Sequence, residues 1–481
     1  MKTLAAAVLL VLVASASFAQ DIPMFTSDFP PEEFQARRAE VYAAIGDKGL
    51  ALIQGAPSPE AYTRFRQNNE FYYLSGIEVP HAYLMLDGAQ KVAALYLPHR
   101  NARRERSEGK VLSVEDADEI KKLAGVDAVF AIETLAEHLS SLARAGDRTI
   151  YTPFYPGEGL AMSRDLALRR IADTVNDPWD GRASREAALM SLLKSRFPQY
   201  EVRDLTPTLD RLRLIKSPRE LVLIRKATRL AGLALMEGMR STEPGMLESE
   251  LDAMAKFIYY RNGAQGDAYY SLIANGPNAM FPHYNAGKGR LKDGDLLLMD
   301  YAPDVGYYMS DITRMWPVNG KFTAEQKALY SFYLEAYRAV LDAIRPGVTP
   351  QTIHREALVK MDALLERSKF GKEIHTNAAK AFVDGYRRAA DDPRATLGHW
   401  VGMATHDVGR DSGPLRAGMV FTIEPQLVVP EEKIYIRLED LIIITDKGKE
   451  IVSDFVPLET DAIEALMKQQ GMLQRYPRDT Q

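Results

Sequence analysis

The sequence predicts a mixed α/β (α+β) chain of two folded domains. An N-terminal mixed α/β domain covers residues 20–207, and a curved antiparallel sheet covered by helices occupies 208–481. Three observations lead there. Strand-like runs at Leu50–Gln54, Ala82–Asp87 and Val92–Leu97 alternate with helix-like stretches such as Thr134–Ala145. Thr206-Pro207 interrupts the chain, and a new helix begins soon after it. A helix-rich stretch from Thr323 to Ala390 is then flanked on both sides by strand-rich ones. With 481 residues, 46% apolar and 26% charged, each domain has material for a core of its own.

Taken in order, the first element is a targeting segment. Lys2, the apolar run Leu4–Val13 and Ser17-Phe18-Ala19 read as a secretory signal peptide over 1–19, cleaved after Ala19. The run is too short to span the roughly 30 Å of bilayer hydrocarbon, and no Cys follows for a lipid anchor. The expectation is an exported protein, periplasmic or secreted, without membrane contact once the signal is removed. The chain has no Cys at all, which suits an oxidising compartment and removes thiolate catalysis and Cys-ligated zinc. Net charge is −5, from 60 basic and 65 acidic residues well interspersed, so there is no electrostatic footprint for nucleic acid or anionic lipid. The densest basic stretch, Arg100–Arg106, contains Glu105 and precedes Glu108; it reads as a solvated loop.

The second domain opens with Ser217-Pro218-Arg219-Glu220, a capping box with Pro in the first turn. Leu221, Ile224, Ala227 and Ala231 follow at helical spacing and form an inward face. Next comes a hairpin: the apolar run ending Leu298-Met299-Asp300, turn residues Pro303–Gly306, then Tyr307–Arg314. A turn centred on Val305-Gly306 would set Asp300 opposite Asp311. Opposed like charges on a sheet are destabilising, and a bound cation is an economical compensation.

The last third adds ligand-type residues in strand-rich surroundings: His399 in Gly398-His399-Trp400, His406 in Thr405-His406-Asp407, and Glu424 ending the run Val420–Ile423. A strand over Ile434–Ile444 would place Tyr435, Arg437 and Glu439 on one face. Alone, either His is an ordinary structural residue and Glu439 is the partner of an arginine. Together, four carboxylates and an imidazole suit manganese, cobalt or zinc better than calcium. Four acids exceed what one divalent ion balances, so the set points to two ions.

The order Asp300, Asp311, His399, Glu424, Glu439 resembles the metallopeptidases of the pita-bread fold, among them methionine aminopeptidase, aminopeptidase P, prolidase and creatinase. The phrases Ser310–Arg314, Gly320–Thr323, Gly398–Gly402, His406–Gly409, Phe421–Pro425 and Ile436–Asp440 are similar to aminopeptidase P, as is Phe281–Asn285 upstream. Arg66–Gly76 is similar to the signature of that family's N-terminal domain. The resemblance implies that Asp300 chelates one ion, Asp311 and Glu439 bridge two, and His399 with Glu424 completes the other site. The ions are expected to be Mn2+, with Co2+ or Zn2+ as alternatives. It further implies that a hydroxide between the ions attacks the bond preceding a proline at position two of a peptide. Glu424 would be general base and acid, His283 and His406 would bind substrate and its developing oxyanion, and Arg437 would orient a ligating acid.

This sequence departs from the family pattern at Ala395, where a further His is usual. Other departures are Ala302 after the first ligand, Gln426 after Glu424-Pro425, and Val428. The resemblance implies that all four positions border the substrate pocket, which keeps a prolidase-like dipeptidase or a creatinase-like amide hydrolase as alternatives. From a different class comes a metal-free peptide-binding module. The resemblance also implies a homodimer or homotetramer, with the segment around Tyr72-Tyr73 either an exposed loop bordering a neighbour's site or part of the core.

Overall fold

A six-stranded sheet organises the N-terminal half: β1 (Gly49–Gln54), β2 (Tyr83–Asp87), β3 (Val92–Leu97), β4 (Ala128–Ala131), β5 (Thr149–Thr152) and β6 (Glu201–Asp204), in the order β4-β3-β2-β1-β5-β6. The pairs β1–β2 and β2–β3 are antiparallel, the outer pairs parallel. The computed structural model describes residues 28–476 except 61, 145, 146, 160, 161 and 410, so residues 1–19, expected to be a signal peptide, lie outside the described residues. The near-continuous apolar run of β1 is what a strand covered on both faces needs. Ala51 and Ile53 face Phe34 and Val41 of the helix Pro31–Ile45, whereas Leu50 and Leu52 face a second core with Leu139, Leu189 and Leu193.

One local expectation needs correction, and one open alternative is decided. Arg100–Arg106 is not a loop: Ala102–Glu108 is helical, and the Asn101 side chain accepts from the Arg104 N–H as its cap. It remains solvated, with no buried residue. Of the two placements open for Tyr72 and Tyr73, the core is the one found: they sit in the helix Asn69–Ser75, 0% and 4% exposed.

The second half starts with the helix Pro218–Ser241, whose Ser217–Glu220 capping box is formed in both directions. After the helix Glu248–Arg261 come β7 (Gly266–Asp267), β8 (Leu272–Asn275), β9 (Leu296–Asp300), β10 (Pro303–Asp304) and β11 (Thr313–Pro317). Three helices, Ala324–Ala343, Pro350–Arg367 and Glu373–Asp391, precede β12 (Val420–Ile423), β13 (Gln426–Val429), β14 (Ile434–Arg437), β15 (Asp440–Thr445) and β16 (Gly448–Ile451). All strand pairs here are antiparallel, as expected, but the sheet is broken into short pieces: β11-β9-β8, β12-β15-β16, β13-β14 and β10-β7. The helix Ala324–Ala343 locks onto its breaks: the Tyr333 hydroxyl donates to Pro425 O and the Tyr337 hydroxyl to Asp440.

The hairpin register differs from expectation by two residues. Its turn is Gly306-Tyr307, both left-handed at φ 59° and 73°, a geometry whose twist matches paired strands. Asp300 therefore faces Thr313, not Asp311. An error of two leaves side-chain alternation unchanged, so both carboxylates stay on one face. Tyr307 tolerates the left-handed backbone because the N-terminal domain holds its ring: Tyr72 stacks on it at 3.7 Å and the Gln67 N–H donates to its hydroxyl oxygen at 2.8 Å. The strand expected over Ile434–Ile444 is also interrupted, at Leu438-Glu439, where the chain passes between two sheet pieces.

Candidate metal centre

Those breaks assemble the site. Asp300 ends β9, Glu424 follows β12, and Glu439 fills the gap between β14 and β15, where its backbone exchanges N–H···O bonds with Thr313 at 3.1 and 3.3 Å. His399 is drawn in by the Trp400–Phe421 bridge and by the Thr422 N–H donating to its carbonyl at 3.0 Å. The close approach needs Gly398: a Cβ there would lie 2.2 Å from Thr422 O.

All five expected ligands converge. One oxygen each from Asp300, Asp311 and Glu439 lie within 4.8 Å of one another; so do atoms of His399, Glu424 and Glu439, the two groups sharing Glu439. His399 Nε2 is 3.4 Å from Asp311, 3.4 Å from Glu424 and 3.9 Å from Glu439. His399 Nδ1 is 3.2 Å from the Trp400 carbonyl, which can only accept. Nδ1 therefore carries a hydrogen, and Nε2 is the ring nitrogen that faces the three carboxylates. Tyr269 reaches Asp300 at 2.5 Å and Asp311 at 2.7 Å with one hydroxyl hydrogen, so it can donate to only one at a time. Burial, then the charges of Asp300 and Glu424, push the Asp311 carboxyl well above its usual value; burial and Asp311 do the same to Glu439, whose Oε1 has no hydrogen-bond partner among the described residues. This donor set is short of positive charge, which is the condition a pair of divalent cations meets.

Arg437 supplies part of the balance, paired with Asp300 and, at 3.4 Å, with Glu424. Glu439, read alone as an arginine partner, instead accepts from the Thr313 hydroxyl at 2.7 Å. His283 and His406 line a cavity of 160 Å³ over the cluster, with Met162, Ser163 and Leu166 of the N-terminal domain closing another side. The His406 ring lies 4.1 Å from that of His399 and 6.2 Å from that of His283. Burial and the neighbouring His399 hold the His406 imidazole below its usual value.

Three residues were not anticipated. Tyr269 spans two acids. Asp165 accepts from His406 Nδ1 at 3.3 Å across the domain junction, where the Thr405 N–H also donates to Met162 O. Glu248 is fully buried and takes four hydrogen bonds of 2.8–3.0 Å from Asn275, Asn278, Tyr284 and Gly289, bracketing the loop that carries His283. Their partners are remote in sequence, so no local pattern marks them.

Comparison with known proteins agrees with this geometry. The metallopeptidase family M24 profile matches residues 222–446, and that of the aminopeptidase P N-terminal domain matches 34–151. The chain is 30% identical over 467 residues to the Xaa-Pro aminopeptidase of Escherichia coli, covering 92% of this chain and 98% of that one. To the Xaa-Pro aminopeptidase of Haemophilus influenzae it is 28% identical over 463 residues, covering 92% and 99%. It superposes with a TM-score of 0.72 and 28% identity on the structure of E. coli aminopeptidase P with the inhibitor Pro-Leu, covering 92% and 98%. With these ligand-type residues gathered on a broken antiparallel sheet behind an aminopeptidase P N-terminal domain, the chain belongs to metallopeptidase family M24.

Proposed function

We propose that this metallopeptidase is an exported aminopeptidase that releases the residue preceding a proline at the second position of a peptide, with two divalent ions in its active site. One observation carries the reading: two overlapping donor groups share Glu439 and are short of positive charge. The relatives' name, Xaa-Pro aminopeptidase, supports the substrate class.

Asp300, Asp311, His399, Glu424 and Glu439 would hold the ions, Mn2+ first, with Co2+ or Zn2+ as alternatives. Bound ions would supply Lewis acidity and an activated water at neutral pH. The chain's own groups do the rest. Glu424, its side chain 23% exposed toward the cavity, takes a proton from the attacking water and delivers it to the departing proline nitrogen, which as a tertiary amide has none of its own. His283 and His406 hold the substrate and its developing oxyanion. Arg437 keeps Asp300 and Glu424 in register.

The test is hydrolysis of an Xaa-Pro-Xaa tripeptide by protein recovered from the periplasm or medium, where its first residue should be Gln20. Activity should vanish on chelation, return with two equivalents of Mn2+, Co2+ or Zn2+, and be absent in Asp311→Ala. Two bound ions without release of the first residue would sink the Xaa-Pro reading and favour another amide; failure to bind metal would sink the hydrolase. The homodimer or homotetramer is part of the proposal, and a monomeric mass by light scattering would remove it.

A further inference from the structure

An imidazole serves a substrate only if the right edge faces it, because nitrogen occupies two of its ring positions and carbon the others. The orienting acceptor of His399 is local, the carbonyl of the next residue, Trp400. That of His406 comes from the other domain. Among the described residues its ring has one hydrogen bond, with Asp165, whose Oδ2 lies 3.3 Å from Nδ1. A carboxylate accepts, so Nδ1 carries a hydrogen and Nε2 is the nitrogen left for the cavity that His406 lines.

Asp165 is itself held in place. The Ser163 hydroxyl donates to its Oδ1, which leaves Oδ2 for His406. Burial raises the Asp165 carboxyl, but the Ser163 hydroxyl and then His406 more than offset this and hold it below its usual value. The backbone around the two residues is matched as well. Ser163 and His406 form a parallel bridge, and the Thr405 N–H donates to Met162 O at 2.8 Å. On its other flank the Asp407 N–H donates to Trp400 O at 2.8 Å. The main chain of His406 is therefore fixed from both sides, and Asp165 fixes the ring.

A simpler account would make Asp165 a first-turn acid of the helix Arg164–Asn176, where negative charge is favourable in any case. That role needs no imidazole, and here one carboxylate oxygen goes to a ring 241 residues away, in the catalytic domain. A carboxylate on Nδ1 is a general means of fixing the tautomer and orientation of a histidine at a reaction centre.

We propose that Asp165 is a positioning residue for the peptidase reaction: it turns His406 so that Nε2 faces the scissile carbonyl of the substrate. The N-terminal domain then contributes to turnover, in addition to the cavity wall made by Met162, Ser163 and Leu166. The proposal deepens the Xaa-Pro reading and rests on it, through the role given there to His406.

The test measures kcat and KM for an Xaa-Pro-Leu tripeptide on the metal-loaded protein and on Asp165→Ala, Asp165→Asn, His406→Ala and the Asp165→Ala, His406→Ala double variant. Asp165→Ala should lower kcat about tenfold, the low end for loss of an orienting carboxylate. KM should change less than about twofold, because a group that steadies a developing oxyanion acts in the transition state. Asp165→Asn, whose amide oxygen still accepts from Nδ1, should recover most of the loss. In the His406→Ala background, removing the Asp165 carboxylate should have no further effect beyond about twofold. Metal content should match that of the unmodified protein throughout. Should the Ala variant fail to fold, Asp165→Ser replaces it, being polar enough for the first turn and too short to reach His406. Unchanged kcat on loss of the carboxylate, an equal factor lost with and without His406, or a loss traced to lower metal content overturns the positioning role and leaves the Xaa-Pro reading standing. No hydrolysis by the unmodified protein overturns both.

Discussion

Asp300, Asp311 and Glu439 are 3%, 5% and 1% exposed, and the nearest positive charge among them is Arg437. Such groups are retained against their burial penalty where they perform chemistry, and here that penalty is concentrated within a few ångströms of one glutamate. A carboxylate outside the cluster shows the same physics in isolation. Burial pushes Glu78 from 4.5 up to about 7, against the Tyr307 hydroxyl that donates to it at 2.5 Å. An acid whose folded value is raised favours the fold fully below its unfolded value, and that contribution is lost as pH climbs from 4.5 to 7. Glu78→Gln should therefore flatten this part of the stability curve and add roughly 2–3 kcal/mol at pH 8. Denaturant midpoints at pH 5 and 8 check it; an unchanged difference between the two would show that Glu78 titrates normally.

At the scale of elements, irregular backbone places the chemistry and buried side chains hold that backbone. The loop bearing His283 has little packing of its own: His283 is exposed, and order comes from Glu248 at the first turn of Glu248–Arg261. Gln at 248 would set an amide donor against N–H and O–H donors, costing about 2–3 kcal/mol. Glu248→Gln should also raise KM several-fold, and its effect should shrink in a His283→Ala background, because both changes act through one imidazole. Lower stability with unaltered kinetics would make Glu248 a scaffold residue only. The hairpin belongs to the same scale. Its register followed from the turn type, and the turn needed Tyr307 in a conformation that the N-terminal domain pays for through Tyr72 and Gln67.

Across the whole molecule, the two domains are joined by buried charge as well as by apolar contact. Arg213, 1% exposed, reaches Glu70 at 3.1 Å, Glu158 at 3.2 Å and Asp407 at 2.7 Å, and Lys216 meets Asp407 at 3.1 Å. Asp407 neighbours His406, so the junction also fixes a wall of the cavity over the acidic cluster. Arg213→Met would leave carboxylates buried without their main partner, and should cost about 3–5 kcal/mol in chemical denaturation. A loss below about 1 kcal/mol would mean that the apolar interface alone joins the domains.

The sequence alone determined much of this protein. Strand runs such as Leu50–Gln54 and Val92–Leu97, the Ser217–Glu220 cap and the two-domain α/β organisation were readable because apolar period and cap chemistry are local. The five ligand-type residues were readable too, because acids are rare on strands and the motif order is distinctive. Only the tertiary structure decided the rest. The hairpin register turned on Tyr307 accepting a left-handed backbone, which depends on a ring 235 residues earlier in the chain, Tyr72. The break at Leu438-Glu439 depends on Thr313, and the roles of Tyr269, Asp165 and Glu248 on partners that no sequence window contains. Periodicity reports which face a residue occupies; a hydrogen bond across the fold depends on where two distant segments meet.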